Sequence, residues 1–281
     1  MRTVILTAGL IALLFPAAVH AQTRIDTDGT VFDGDYAIVG VGAAISPDYE
    51  GSNDSQVLPL LGATGEVGGI GFTIRGPSLS LDLLSFDVSE KVSVTIGPQA
   101  RYRANRTGSV KDEVVDKLER LDGVIEAGGR VGVRFQEVFS VADALSMGVS
   151  ARWDASGKGS GYIITPSMTY RLPVSKAQAV GVLVSTEYIS GDYADYNYNV
   201  SQAGSLASGL PVYDAKGGFK EITLGIGTVR DLSGNGLDGG FAIGGGISYT
   251  RLFGSAAKTP ITSLRGSRDQ WFFGAGLGYT F

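Results

Sequence analysis

From residue 35 onward, apolar and polar residues alternate with a period of two, and the pattern returns in segment after segment. Val92, Val94, Ile96, Pro98, Ala100 and Tyr102 form one series, and Ser93, Thr95, Gly97, Gln99, Arg101 and Arg103 the other. Ile125, Ala127, Gly129, Val131, Val133 and Phe135 oppose Glu126, Gly128, Arg130, Gly132 and Arg134. The same holds for Leu145 to Asp154 and for Tyr162 to Leu172. Period two puts successive side chains on opposite faces of a strand. Beyond residue 21 no apolar run approaches the ~18 residues a membrane helix needs. The chain is therefore read as all-β.

A soluble sandwich and a transmembrane barrel both alternate in this way. The polar face separates them. A sandwich exposes Lys, Glu and Thr outward, whereas Gly, Ser, Thr and Arg dominate here, as suits a crowded interior. Gly contributes 42 of 281 residues, and only 9 are Pro, which fits closely approaching strands and not collagen. Aromatic residues sit near strand ends at Tyr36, Tyr102, Trp153, Tyr162, Tyr170, Tyr188 and Tyr249, where a membrane barrel carries its interfacial girdles. In lipid such a sheet must close, since an open edge finds no water.

The final segment is the sharpest. Trp271, Phe273, Ala275, Leu277, Tyr279 and Phe281 alternate with Gly274, Gly276, Gly278 and Thr280. That series resembles the terminal signature by which the barrel-assembly machinery recognises outer-membrane proteins, with Tyr279 and Phe281 as the assembly signal. At the other end, Arg2, the apolar run Val4–Phe15 and the small residues before Ala21 have the order of a secretory signal peptide. The expected organisation is a signal over 1–21, a periplasmic segment over 22–34 and a barrel over 35–281. The expected home is the Gram-negative outer membrane, in contact with its lipid and lipopolysaccharide, as a monomer.

Candidate strands are 35–46, 54–66, 69–76, 79–85, 91–103, 124–136, 145–155, 161–172, 178–190, 218–230, 239–253 and 268–281. Twelve is an even number, as single-chain bacterial barrels require. With both termini in the periplasm, odd-numbered connections face outward. The longest gaps, 104–123, 191–217 and 254–267, are connections five, nine and eleven.

This register sends Arg101, Arg103, Glu126, Arg130, Arg134, Arg152, Asp154, Arg171, Glu187 and Glu221 into the lumen. Arg134 and Arg171 fall toward the periplasmic end. Such charges either select solutes or pair across the lumen and fill it. Lys220 and Arg230 bound the apolar face of the strand 218–230.

The chemistry the chain lacks is also informative. There is no Cys, and the one His, His20, leaves with the signal. The imidazole base of most membrane-barrel hydrolases is then missing, and no catalytic, cofactor or metal site is expected. Asp192 and Asp195 with Tyr193, Tyr196 and Tyr198 are read as turn and interface residues. A net charge of −5 disfavours nucleic acid.

Several short motifs, in order along the chain, resemble the MipA/OmpV family (MltA-interacting protein) of outer-membrane proteins. They are Pro47-Asp48-Tyr49-Glu50-Gly51-Ser52; Gly97-Pro98 with Tyr102 and Arg106; Leu118, Leu121, Glu126 and Gly128; Ser208-Gly209-Leu210 with Tyr213 and Gly217-Gly218; and Gly254, Ala256, Ala257, Pro260 and Ile261. Before the last strand the family commonly carries acidic residues and Ser, where this chain has Ser255, Lys258 and Thr259. The resemblance implies a non-enzymatic scaffold for murein growth, with a lytic transglycosylase and a penicillin-binding protein as partners. Such partners would meet the inward connections 137–144 and 231–238. The alternative is a small-solute channel with a charged lumen.

Overall fold

The computed structural model describes residues 29–281; the signal-peptide reading lies outside them. The strands are β1 (Tyr36–Pro47), β2 (Ser55–Val67), β3 (Ile70–Arg75), β4 (Ser78–Asp82), β5 (Leu84–Ser89), β6 (Val92–Arg103) and β7 (Val124–Gln136). There follow β8 (Ala144–Asp154), β9 (Tyr162–Ser175), β10 (Gln178–Ile189), β11 (Gly218–Asp231), β12 (Gly240–Leu252) and β13 (Asp269–Thr280). Apart from β4 and β5, which do not pair with each other, each pairs antiparallel with its sequence neighbours, and β1 closes on β13 with Ile38 opposite Thr280. β4 and β5 both pair with β6 and are two parts of one stave. The result is a closed antiparallel barrel of twelve staves, the count that the alternation implied.

The break in the fourth stave has a sequence cause. Leu81 and Leu83 keep period two, but Leu84, Phe86 and Val88 continue it one residue out of step. The slip at Leu83-Leu84 is a bulge; it hid the rest of the stave, which runs to Ser89 and not to residue 85. β5 pairs with β6 alone, and all six of its residues are exposed. Opposite the break stands Gly97, where a Cβ would fall 1.7 Å from the Leu81 carbonyl oxygen, so the staves meet only because no side chain is present.

The face assignment in β13 follows alternation. Trp271 is 50% exposed on the outer wall, and Phe272 only 8% exposed within. In β1 and β2 both faces are apolar. Ile38, Leu58 and Leu60 are buried, with Phe272 of β13, whereas Val39, Val41, Val57 and Leu61 are exposed. Tyr36 is a correction to the girdle reading. It shares parity with buried Ile38, packs edge-on against Phe32 at 5.0 Å and is buried.

The start of β1, the end of β13 and the short turns 68–69, 90–91, 137–143, 176–177 and 232–239 lie at one end, here the turn end. The long connections 104–123, 190–217 and 253–268 gather at the opposite, loop end. They are not structureless, contrary to the all-β reading. They carry α1 (Gly191–Tyr198), α2 (Gln202–Ser208), α3 (Gly254–Lys258) and α4 (Pro260–Ser263). Ser190 and Ser201 start the first two by accepting from the amides of Tyr193 and Gly204, and Gly209 ends α2 in the left-handed region at φ 79°.

Candidate functional site

The loop end is folded into a cap with its own core. Tyr193, Ala194, Tyr198, Ala215 and Ala256 pack with Ile163, Ile189 and Leu252 at the rim. Tyr49, Val115, Leu118, Val200, Leu210 and Ile261 form a second cluster. A two-residue bridge joins Val200 and Tyr213 inside the longest loop. Burying apolar side chains gives ~25 cal/mol per Å2, so these connections are held as a small domain.

Family-motif residues meet here. The Asp48 carboxylate accepts from the Lys111 amide at 2.7 Å. The Gly51 amide donates to Gln270 Oε1 at 3.2 Å, and Gln270 Nε2 donates to the Ser52 carbonyl at 2.9 Å. Gly51 is at φ 90° with Thr262 packed against it, so a side chain there would be both strained and blocked. Arg265 pairs with Asp112 at 2.8 Å and ties two long loops together. Burial pushes the Tyr49 hydroxyl up to about 12, with Asp112 adding to the rise. Burial pulls the Arg106 guanidinium down to about 10, against Tyr49 and Glu119.

Two buried ion networks fasten this cap to the wall. Lys220 Nζ lies 2.7 Å from Glu187, 3.0 Å from Glu50 and 3.1 Å from Glu221, and Tyr198 donates to Glu50. Consecutive Lys220 and Glu221 both face inward because the β10–β11 register slips between Glu187 and Tyr188. That bulge corrects the placement of Lys220 on the lipid face; period two cannot see an inserted residue. In the second network Glu126 receives Arg103 at 2.6 Å and Arg152 at 3.2 Å. Arg103 also donates to Asn197 Oδ1 at 2.6 Å and to Ser160, and it lies 4.5 Å from the Tyr193 ring centroid. Arg152 reaches Gln99 Oε1 at 3.1 Å. Wall strands β6, β7, β8, β10 and β11 thus hold helix α1 and its neighbours across the mouth.

Beneath the cap lies a chamber of about 490 Å3. Arg101, Arg130, Arg134, Arg152, Arg171, Glu187 and Glu221 line it, as do Arg75, Asp82 and Lys220. Arg103 and Glu126 sit above it in the cap network. Asp154 is different: its Oδ1 accepts from Ser156 and its Oδ2 from the Ser160 amide, so it shapes the β8–β9 turn. Arg75, Asp82 and Lys220 were missed by the sequence reading. Arg75 follows the unbroken alternation of Thr73, and only the shortness of β3 concealed it.

At the turn end, the connection 137–143 is built around Asp143. Its carboxylate accepts from the amides of Val138, Phe139 and Ser140 at 2.7, 2.9 and 3.0 Å and from the Tyr170 hydroxyl at 2.7 Å. Burial alone would raise this carboxyl, but the bonds from Tyr170 and the three amides outweigh it and hold it below its ordinary 3.8. A carboxyl depressed on folding stabilises the turn above its unfolded pKa, and that support is lost as pH falls through the folded value. Asp143→Asn is therefore expected to speed amide exchange at Val138–Ser140 about tenfold at neutral pH. The same speeding should develop in the unaltered protein only below about pH 4. Equal exchange in both proteins at neutral pH would remove Asp143 from this role. Asp231 organises the other turn in the same way, accepting from the amides of Ser233, Gly234 and Asn235.

Residues 39–281 match the family model described as MltA-interacting protein MipA. The chain belongs to that family. A comparison with curated proteins found no match. Among solved structures the chain is similar to the NanC porin, at 8% identity and TM-score 0.47, covering 87% of this chain and 98% of that one. It is also similar to the Pseudomonas putida toluene transporter TodX, at 9% identity and TM-score 0.40, covering 96% of each chain. A third is the outer membrane channel DcaP of Acinetobacter baumannii, at 8% identity and TM-score 0.41, covering 88% and 96%. The motifs that carry the family resemblance concentrate in and around the cap.

Proposed function

We propose that the protein is a non-enzymatic barrel of the Gram-negative outer membrane, monomeric and shut toward the outside, that serves as a scaffold for murein and envelope maintenance. The observation that supports this reading is the contrast between its two ends. The loop end carries packed helices and buried ion pairs. The turn end presents prebuilt turns with apolar tips, since Phe139 and Val141 are each 82% exposed. The family description names an MltA-interacting protein, and a lytic transglycosylase of that kind would reach the barrel from the periplasm. Exposed apolar residues on a rigid turn are suited to an interface core.

Replacing Phe139 and Val141 together by Ser is expected to cut recovery of the transglycosylase with the purified barrel at least tenfold. Migration of the folded barrel should not change, because neither side chain supports a strand pairing. Undiminished recovery would sink the contact at this turn. A second reading, a small-solute channel, is favoured by the chamber, whose charged and hydroxyl lining is not filled by side chains.

A further inference from the structure

The charges of the lumen are sorted by depth. Near the cap, Glu50, Glu187 and Glu221 surround Lys220, and Glu126 takes Arg103 and Arg152. Farther toward the turn end the balance changes. Arg75, Arg130, Arg134 and Arg171 all line the chamber, and Asp82, 3.7 Å from Arg130, is the acidic residue that lines it there. Arg171 lies within electrostatic reach of Arg134 and Arg75, and Arg75 within reach of Arg130. Glu66, on the same face of β2 as Thr64, stands below them near Tyr36. Four guanidiniums against two carboxylates leave this level net positive.

Gathering like charges in a confined space is costly unless a counter-charge enters. The rest of the chamber suits an oxyanion. Ser93, Thr95, Ser146, Thr165, Ser167 and Thr169 supply hydroxyl groups, and the buried Thr165 hydroxyl has no hydrogen-bond partner among the described residues. A volume of about 490 Å3 lies within the ~300–1,000 Å3 of small-molecule sites. Guanidinium forks bind carboxylate and phosphate oxygens in pairs.

We propose that this chamber is a binding site for a small solute bearing two or more oxyanion groups, held by Arg75, Arg130, Arg134 and Arg171. The site stands whether or not the barrel conducts. The probe is citrate, titrated calorimetrically into the refolded full barrel in micelles at fixed ionic strength, with glucose as the neutral control. Saturable binding of one citrate per barrel and none of glucose is expected. Arg75→Gln with Arg171→Gln should weaken citrate at least tenfold, while Arg75→Lys with Arg171→Lys retains part of the affinity. Lys258→Gln, on the outer loops, should leave it unchanged. If the double Gln variant fails to fold, Arg75→Gln alone should weaken citrate severalfold. Absence of saturable binding, or equal affinity in the folded Gln variants, overturns the proposal.

Discussion

Lys220→Met should free the cap from the barrel wall. Lys220 is buried and is the shared cation of Glu50, Glu187 and Glu221, which come from the first loop and from two adjacent strands. Removing it leaves three carboxylates facing one another in a confined space. Deleting one partner of a buried ion pair typically costs ~3–5 kcal/mol. Opening of the cap should therefore become easier by on the order of a hundredfold or more. Amide exchange at Glu50–Ser52 and in helix α1 is the measurement, with exchange at Val138–Ser140 in the β7–β8 turn, at the opposite end of the barrel, as the unaffected reference. Adding Glu50→Gln and Glu187→Gln to Lys220→Met should restore much of the protection, because the repulsion is then relieved. Unchanged protection in the single variant would show that the apolar clusters alone hold the cap.

The second large effect concerns passage through the barrel. Ile189 pairs with Gly218 at the base of the longest loop, and the Ser190 and Gly217 backbones are in contact there. The loop can be cut out without stretching the chain, and replacing Gly191–Lys216 by a short Gly-Ser turn should leave the twelve staves intact. The replacement removes Tyr193, Ala194, Tyr198, Val200, Leu210 and Ala215, six of the fourteen buried residues of the two cap clusters. The intact protein is expected to be silent in a planar bilayer. The shortened one should show discrete conductance steps with a preference for anions, since the arginine level is then open at the loop end as well as the turn end. Steps from the intact protein would overturn the sealed mouth. Silence from a folded, shortened barrel would place the barrier deeper, at the apolar side of the lumen formed by Ile38, Leu58, Leu60 and Phe272.

What could be read from the sequence follows from where period two is unbroken. β6, β7, β8, β9 and β13 alternate cleanly, so their inward arginines and outward aromatics are legible residue by residue. The readings that needed correction sit where the period slips or carries no information. The bulges at Leu83-Leu84 and at Lys220 each insert one residue, which inverts every face assignment beyond it. β1 reads Tyr-Ala-Ile-Val-Gly-Val-Gly-Ala-Ala-Ile, apolar on both faces, so alternation cannot say that Tyr36 points inward. The helices of the cap are seven or eight residues at most and lack a clear amphipathic repeat. Their serine caps and the Gly209 stop were the available signals, and these are local ones. The cap itself was not legible, because its contacts join residues far apart in the chain. The family motifs marked its members without showing that they meet.

Those separations have a consequence for how the molecule is made. Gly51 follows the first stave and Gln270 opens the last, and they are joined by a hydrogen bond across 219 positions of sequence. Ser52 and Gly266 bridge at the same place, and the Ser267 amide donates to the Gly51 carbonyl. These contacts can form only when the first and last strands lie side by side. Chain-closure entropy delays pairings so distant until the intervening strands have zipped. The part of the cap that spans the seam is therefore the last to order, and its settling certifies that the seam beneath it has shut.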